Sequence, residues 1–171
     1  MPKILGIDAT GYEVLTKAVS ELLNEFPGLG SRIITFEELE ETSGIAFSAD
    51  SGALIVSEKR NILNHVTQTC QYPFYVVYRT TSTRAAQKMN VQAFLDALGK
   101  WLSKEPAVID DQEYVLDAYP DLAGGRKIKK VTRTNSYSAE PNDKGVQDWL
   151  LPVTVEYTNE FDATERKEYK G

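Results

Sequence analysis

The pattern of hydrophobic and polar positions predicts two amphipathic helices in this chain. Apolar residues recur at helical spacing from Val14 to Phe26 and again from Phe94 to Leu102, so each stretch forms one apolar stripe. Capping and stop signals surround both stretches. They are Thr10 or Gly11 and the Pro27-Gly28 pair for the first helix, and Asn90 or Ser82 and Pro106 for the second.

Between the helices, the pattern changes to short segments rich in β-branched and aromatic residues. Arg32–Phe36 is the first of these segments. Gly44–Phe47 and Ala53–Val56 follow, on either side of the turn-forming run Ser48–Gly52. This arrangement predicts that the two segments are the arms of a hairpin.

Gln71–Arg79 is the strongest strand signal in the chain. Its nearly continuous apolar run predicts a central strand that is buried on both faces, and Pro73 marks either its beginning or a bulge. The aromatic side chains from Tyr72 to Tyr78 could stack on nucleic-acid bases in principle. Because they alternate within an apolar run, we expect them in the core instead.

Two further strands are predicted near the C-terminus. They span Lys127–Tyr137 and Gln147–Tyr157, with the polar loop Pro141–Gly145 between them. In the second strand the odd-numbered positions from Trp149 onward are all apolar, so we expect them to face inward. The order of elements, α-β-β-β-β-α-β-β, indicates an α+β fold with a mostly antiparallel β-sheet packed against two main α-helices.

Length and composition are those of one globular domain. The chain has 171 residues, of which 42% are hydrophobic and 26% charged. We expect one domain over residues 1–171, with an N-terminal extension at 1–10 and a flexible C-terminal tail at 163–171. No apolar run approaches the roughly 20 residues of a membrane helix, and the first residues lack the pattern of a secretory signal.

The net charge of -6 is unevenly distributed. Residues 126–133 carry five cations and no carboxylate, and we name these cations the basic stripe: Arg126, Lys127, Lys129, Lys130 and Arg133. Four carboxylates between predicted strands form what we name the acidic patch: Glu37, Glu38, Glu40 and Glu41. An acidic chain with one short basic segment is unlike a general binder of duplex DNA and suits a protein whose faces meet other charged protein surfaces.

The basic stripe allows more than one interpretation. Strict alternation on a strand would point Lys127, Lys129, Val131 and Arg133 to one face and Arg126, Ile128, Lys130 and Thr132 to the other. Charge on both faces is typical of a solvated edge strand that lysines protect against aggregation. The alternatives are an interface strand that meets an acidic neighbour, or a strand that lines a passage for nucleic acid.

The residues that most enzymes and metal sites need are scarce. One cysteine, Cys70, and one histidine, His65, exclude an intramolecular disulfide, a thiolate cluster and a His-rich metal site. The run Gly6–Gly11 is faintly similar to the first phosphate loop of the actin-like kinases, but it lacks a second close glycine, and we expect a helix N-cap there. Gly124-Gly125 is expected to be a tight turn, because no GK[ST] motif follows. We therefore assign no catalytic residue, metal or cofactor.

Four segments stand in an order that is typical of one family. They are the aromatic-rich run Gln71–Arg79 ending in Arg, the helix Phe94–Leu102 with a Trp-Leu pair at its end, the segment Tyr119–Lys127, and the run Leu151–Tyr157 ending in Tyr. Together they resemble the minor capsid or tail-terminator (tail-completion) proteins of long-tailed bacteriophages and prophages.

The resemblance implies a non-enzymatic structural protein of the virion tail or neck, assembled in the bacterial cytoplasm, with no membrane association. It implies a hexameric ring that caps the tail tube, ends its polymerisation and joins it to the head-tail connector protein, with genomic DNA passing through the lumen. Such a ring needs two different complementary patches on each subunit. The acidic patch and the basic stripe are our candidates for this subunit and partner interface.

Other functions remain open from the sequence. The nearest is a head-tail connector or head-completion protein. A nucleic-acid-binding module could use the basic strand 126–133 with the aromatic strand. A small enzyme acting on phosphate esters or nucleotides would depend on Asp8 and scattered carboxylates.

Overall fold

A computed structural model describes residues 4–81 and 85–163, and in them two helices pack against a mostly antiparallel sheet. This confirms the predicted α+β class. The helices are α1 (Ala9–Leu23) and α2 (Ala85–Leu102). The strands of the described residues are β1 (Gly6–Ile7), β2 (Ile34–Phe36), β3 (Gly44–Ala49), β4 (Leu54–Arg60), β5 (His65–Thr80), β6 (Ala107–Ile109), β7 (Gln112–Tyr114), β8 (Arg126–Arg133), β9 (Tyr137–Ser138) and β10 (Gln147–Asp162).

Two long antiparallel strands, β5 and β10, form the centre of the sheet. They pair without a register shift over 16 positions, from His65 opposite Asp162 to Thr80 opposite Gln147. On the other side of β10 lie β8 and β9, and on the other side of β5 lie β3 and β4. The central position predicted for the strand at Gln71–Arg79 is therefore confirmed.

The predicted hairpin between Gly44–Phe47 and Ala53–Val56 is wrong. β3 and β4 do not pair with each other, because both pair antiparallel with β5, one after the other along its length. β3 and β4 run in the same direction on the same side of β5, and we call such a row of strand positions a lane. The turn-forming residues between them interrupt this lane and do not reverse the chain. The predicted strand Lys127–Tyr137 is divided in the same way into β8 and β9, which pair with successive parts of β10.

Two prolines account for these interruptions. In an antiparallel strand, the N–H and C=O of one residue point to the same neighbour. The carbonyl of Pro73 accepts a hydrogen bond from Asp50, in the break between β3 and β4, and the carbonyl of Pro152 accepts one from Thr134, in the break between β8 and β9. Each proline therefore turns its missing N–H toward a break in the adjacent lane and not toward a continuous paired strand.

The central strand is buried on one face, and the prediction that it is buried on both faces is wrong. From Val66 to Val76, buried and half-buried positions alternate along β5. The odd-numbered residues of β10 are buried from Gln147 to Phe161, which confirms the predicted inward face of that strand. The second face of the sheet carries half-buried residues, many of them polar or charged, such as Thr69, Gln71 and Glu156.

Both helices contribute to the same core as the inward face of the sheet. Leu15 and Leu23 of α1 and Leu95 and Leu98 of α2 are fully buried there. The aromatic residues Tyr72, Phe74, Phe47 and Trp149 belong to this core as well. The expectation that the aromatic side chains of this strand lie in the core is confirmed for Tyr72 and Phe74, whereas it is wrong for Tyr75, which is half-buried on the other face of the sheet.

The helix boundaries differ from the predicted caps. α1 begins at Ala9, and its cap is Asp8, whose carboxylate accepts a hydrogen bond from the Gly11 N–H at 3.1 Å. Thr10 and Gly11, the predicted caps, lie inside the helix. Asn90 likewise lies inside α2, while Ser82 is outside the described residues.

Some elements were not predicted. β1 pairs with β4, and its residues fall within the predicted N-terminal extension. β6 and β7 form a separate two-stranded hairpin. Of the predicted C-terminal tail, residues 164–171 are outside the described part of the chain. Neither described helix is long and apolar enough to span a membrane.

The turn at Gly125 provides a test of the fold. A Cβ at this position would overlap with the carbonyl oxygen of Glu160. The backbone N–H of Glu160 donates a hydrogen bond to the Gly125 carbonyl at 2.8 Å, so the two backbones lie close together. Gly125→Ala should therefore lower the free energy of unfolding by about 1–3 kcal/mol, measured by urea denaturation. Gly6→Ala is the control, because its nearest non-neighbouring atom is 4.0 Å from the added carbon; a change within about 0.5 kcal/mol is expected. Equal effects of the two substitutions would contradict this account.

Candidate interaction surfaces

The basic stripe lies on β8, which is the outermost strand on its side of the sheet among the described residues. A register shift between Glu156 and Tyr157 of β10 inserts one extra residue, Lys129, into β8. This bulge changes the alternation. Ile128 and Val131 both face inward, so the predicted division of the stripe into two strictly alternating faces is wrong.

The structure places the five cations of the stripe in different environments. Lys127, Lys129 and Lys130 are exposed, and we name them the exposed lysines. The side chain of Arg133 is 15% exposed, packs against Gly99 of α2 and lies 3.5 Å from Glu105. Arg126 is buried. The surface charge of β8 therefore comes mainly from three lysines.

Arg126 forms a buried ion pair with Asp8, 118 residues away. Its Nε and Nη2 donate to the two carboxylate oxygens at 3.0 and 2.7 Å, and the Tyr157 hydroxyl donates to the same carboxylate at 2.8 Å. Asp8 and Arg126 are each 7% exposed, and Tyr157 is fully buried. Together with the Gly11 N–H, these donors occupy the carboxylate that caps α1. The pair ties the start of α1 to the edge strand β8.

The pKa of Asp8 follows from these contacts. Burial alone would raise the pKa, but the hydrogen bonds from Arg126 and Tyr157, the charge of Arg126 and the Gly11 N–H together hold it below its ordinary value. Asp8 is thus an ionised structural group with its oxygens already occupied. It offers no free carboxylate for the enzymatic function that the sequence left open.

The acidic patch lies on the loop between β2 and β3, and all four of its carboxylates are exposed. The loop is fixed at several points. The Ser48 hydroxyl donates to Glu37 at 3.1 Å, Arg79 donates to the carbonyl of Glu40 at 3.1 Å, and Lys144 lies 3.0 Å from Glu41. These contacts fix the loop, so the acidic patch is an ordered surface at the β2–β3 edge of the sheet.

The acidic patch and the exposed lysines lie at opposite edges of the sheet. The strand lanes run from β2 through β3, β5 and β10 to β8. With strands about 4.8 Å apart, four spacings separate the two edges by about 19 Å. This exceeds the screening length of about 8 Å at physiological salt, so the two surfaces do not neutralise each other within one chain.

The exposed apolar tip of the hairpin between β4 and β5, which we name the hairpin tip, was not identified from the sequence. Ile62 and Leu63 at this tip are 98% and 79% exposed. Beside them, the two ring nitrogens of His65 each lie 3.0 Å from a carboxylate, that of Asp162 and that of Glu160. The available signal was the Asn-Ile-Leu-Asn run, in which two large apolar residues occupy a turn between asparagines.

The single cysteine is not a reactive group. Cys70 is fully buried next to Tyr157, and burial raises the pKa of its thiol to about 11. Among the described residues, no three His, Cys, Asp or Glu side chains come together as metal ligands. Neither His65 nor Cys70 was assigned a catalytic role from the sequence.

Breaking the buried ion pair should destabilise the protein strongly. Arg126→Met leaves the Asp8 carboxylate buried without its cation, which should cost about 3–5 kcal/mol at pH 7 in urea denaturation. Lys17→Met, which removes an exposed cation from α1, is the control and should change stability by less than about 0.5 kcal/mol.

The same pair should make stability depend on acid. The folded pKa of Asp8 lies below its ordinary value of 3.8, so the pair stabilises the fold above about pH 4, and this contribution is lost as the pH falls further. The difference between wild type and Arg126→Met should therefore shrink below pH 4. A difference that stays constant down to pH 2 would contradict the role given to Asp8.

His65 should titrate above its ordinary pKa of 6.5. Hydrogen bonds to Glu160 and then Asp162 favour the charged imidazole and raise its pKa. Its contribution to stability is complete below pH 6.5 and is lost as the pH rises through the folded pKa. Because His65 is the one histidine of the sequence, NMR can follow it directly. Glu160→Gln with Asp162→Asn should return the pKa toward 6.5, and an unchanged titration would contradict this assignment.

Comparisons with known proteins show a structural likeness but no family. No family model matches the chain, and no curated protein matches it. Among solved structures, the chain is similar to one from a virion of a native gene transfer agent (GTA) particle, with a TM-score of 0.48 and 7% sequence identity, over 90% of this chain and 100% of that chain.

Proposed function

We propose that this protein is a structural, non-enzymatic subunit of a phage-type virion. In its finer form, the proposal is a tail terminator: a ring of identical subunits, expected to be a hexamer, that caps the tail tube and joins it to the head connector. The observation that carries it is the placement of exposed charges of opposite sign at the two opposite edges of one sheet.

The segments that resemble tail terminators lie in the centre of the sheet, in the helix packed on it and at one edge. Gln71–Arg79 lies in β5, Phe94–Leu102 in α2, and Leu151–Tyr157 in β10. Tyr119–Lys127 leads into β8. The resemblance therefore concerns the two long strands, the helix that packs on them and the edge strand, and these parts determine where the edges of a subunit lie.

Opposite edges of opposite charge suit a ring. A heterologous interface joins two different surfaces, one from each neighbour, and repeats around the ring until it closes. The exposed lysines on β8 of one subunit would face the acidic patch at the β2–β3 edge of the next. The two surfaces belong to one chain and cannot meet within it, so only a second copy can bring them together.

The other functions lose support from specific contacts. An enzyme would need Asp8, whose carboxylate is buried and occupied by Arg126 and Tyr157. A nucleic-acid-binding module would need stacking rings beside the cations. Tyr72 and Phe74 point into the core, and the half-buried Tyr75 lies on β5, with β10 between it and the lysines of β8. A head-tail connector or head-completion protein would use the same ring interface and differs in what it binds.

Charge reversal tests the interface. Lys129→Glu with Lys130→Glu should abolish most ring assembly, as should Glu38→Lys with Glu40→Lys, because each places like charges at the contact. Mixing the two variants should restore rings at least partly, as seen by analytical ultracentrifugation and negative-stain microscopy. Lys17→Glu with Lys100→Glu makes the same change in net charge on the two helices and should leave rings intact. Ring assembly that survives reversal of Lys129 and Lys130 would contradict the pairing.

The terminator role needs a separate measurement. Co-expression with the tail-tube subunit of the same phage or prophage should give tubes of fixed length with this protein at one end. Tubes of uncontrolled length, together with intact rings that bind the head connector, would favour the connector or head-completion function instead.

A further inference from the structure

A cavity lies at the edge of the sheet, between β8 and the segment 118–122. Its volume is about 730 Å³, which is within the roughly 300–1,000 Å³ of ordinary binding pockets. Lys127 and Lys129 line it from β8, Tyr119 lines it from the segment, and Lys104 lines it from the end of α2. The cavity thus joins two of the exposed lysines to a cation from another part of the chain.

Lys104 is held at this cavity although it is distant from the basic stripe in sequence. It follows α2, and its N–H donates to the Trp101 carbonyl at 3.1 Å. Its Nζ lies 4.5 Å from the centre of the Tyr119 ring, which is a cation–π distance. The Tyr119 hydroxyl donates to the Leu102 carbonyl at 2.8 Å, so the ring is fixed beside the end of the helix. The fold therefore adds one exposed lysine to the edge that β8 forms.

The cavity carries a net positive charge. Within the described part of the chain, none of Lys104, Lys127 and Lys129 takes part in an ion pair. Asp121 is the one carboxylate among the described residues that line the cavity. The buried ion pair of β8 with the start of α1 contributes no net charge. Three cations against one anion leave two positive charges for a partner.

The charged residues next to these lysines in sequence have neighbours of opposite charge outside the cavity. Lys130 does not line the cavity. It lies directly opposite Glu156 of β10, and directly opposite residues point to the same face of a sheet. Glu105 lies 3.5 Å from Arg133. The exposed lysines are therefore not equivalent, because two of them line the cavity and Lys130 does not.

The cavity suits carboxylates better than nucleic-acid bases. Single-stranded nucleic acid stacks its bases on free aromatic faces. Tyr119 is the one ring among the described residues that line this cavity; it is half-buried, and Lys104 lies over it. A base therefore finds no free ring beside the lysines, whereas a carboxylate needs only the lysines themselves.

The acidic patch has the matching charge. Its carboxylates are all exposed. Lys144 pairs with Glu41, and Arg32 lines the same surface cavity as Glu38 and Glu40. Four carboxylates against these two cations leave two negative charges, which is the number that the lysine cavity offers with positive sign.

We propose that Glu38 and Glu40 of one subunit enter the cavity beside β8 of the next subunit, where Lys104, Lys127 and Lys129 receive them. The inference rests on the proposed ring and identifies its receiving site. It also assigns a contact in that site to Lys104, which lies outside the basic stripe. Ion pairs within a cavity are screened less by solvent and salt than ion pairs on an open surface. The cavity thus determines which lysines of this edge hold the neighbour.

Zero-length cross-linking of wild-type rings with a carbodiimide tests the contact directly, because this reagent joins a carboxylate to an amine that touches it. A mixture of isotope-labelled and unlabelled protein distinguishes links between subunits from links within one subunit. We expect a peptide of mixed labelling that joins Lys104 to Glu38 or Glu40. Intact rings in which the acidic patch links to other lysines, but not to Lys104, would overturn the inference and leave the ring.

Reversal of single charges gives a second readout. Lys104→Glu should raise the protein concentration that ring assembly requires by about tenfold or more, as should Lys129→Glu, because each places like charges in the cavity. Lys130→Glu is the matched control: it makes the same change in charge one residue along β8, outside the cavity, and its effect should stay below about threefold. Equal effects of Lys104→Glu and Lys130→Glu would overturn the role of the cavity. The cross-link is made on wild-type protein and does not depend on the folding of a variant.

The ring and the cavity contact fail in different ways. Absence of rings from wild-type protein would overturn both. Binding of a single-stranded thymidine oligonucleotide by wild type, but not by Lys104→Glu, together with rings that lack the cross-link, would assign the cavity to nucleic acid. That result would overturn the contact with a second copy and leave the ring.

Discussion

The unbroken pairing of β5 with β10 is the constraint on which the rest of the structure depends. The two strands pair over 16 positions without a register shift, so buried and half-buried side chains alternate along both strands in step. One face of the sheet therefore carries nearly all of their buried side chains. The helices cover that face. Pro73 and Pro152 then determine where the flanking lanes must break, since neither can donate a hydrogen bond to its neighbour.

The pairing of β5 with β10 also determines where the charged surfaces lie. With β5 and β10 in the centre, the acidic loop after β2 and the basic strand β8 can occupy only the two outer edges. The Asp8–Arg126 pair fixes one of these edges by joining β8 to the first helix through the core. One cation of the stripe thus holds the edge in place, while the exposed lysines remain available to a partner. Each subunit therefore has two structurally fixed edges of opposite charge. Copies with such edges can join head to tail, as the proposed ring requires.

Periodicity predicted those parts of the fold whose side chains repeat regularly: the two helices, the central strand and the inward face of β10.

Periodicity failed where contacts between residues distant in sequence determine the structure. The turn at Ser48–Gly52 has the composition of a hairpin, yet it interrupts a lane because its neighbour is Pro73. The bulge at Lys129 depends on the pairing partner, and no local signal marks it. Arg126 could not be separated from its neighbours in the stripe, because its partner Asp8 lies 118 residues away. The acidic patch and the lysines were visible as charge clusters, but their opposite placement required the topology.

The most direct measurement of the central claim is the solution mass of the wild-type protein by light scattering, across protein concentration and at low and high salt. If opposite edges join copies into a closed ring, one mass, a fixed multiple of the 19.1 kDa chain, should persist as concentration rises. High salt should shift it toward the monomer, because the exposed charges are screened. A monomer under all conditions, or a mass that keeps growing with concentration, would contradict the account.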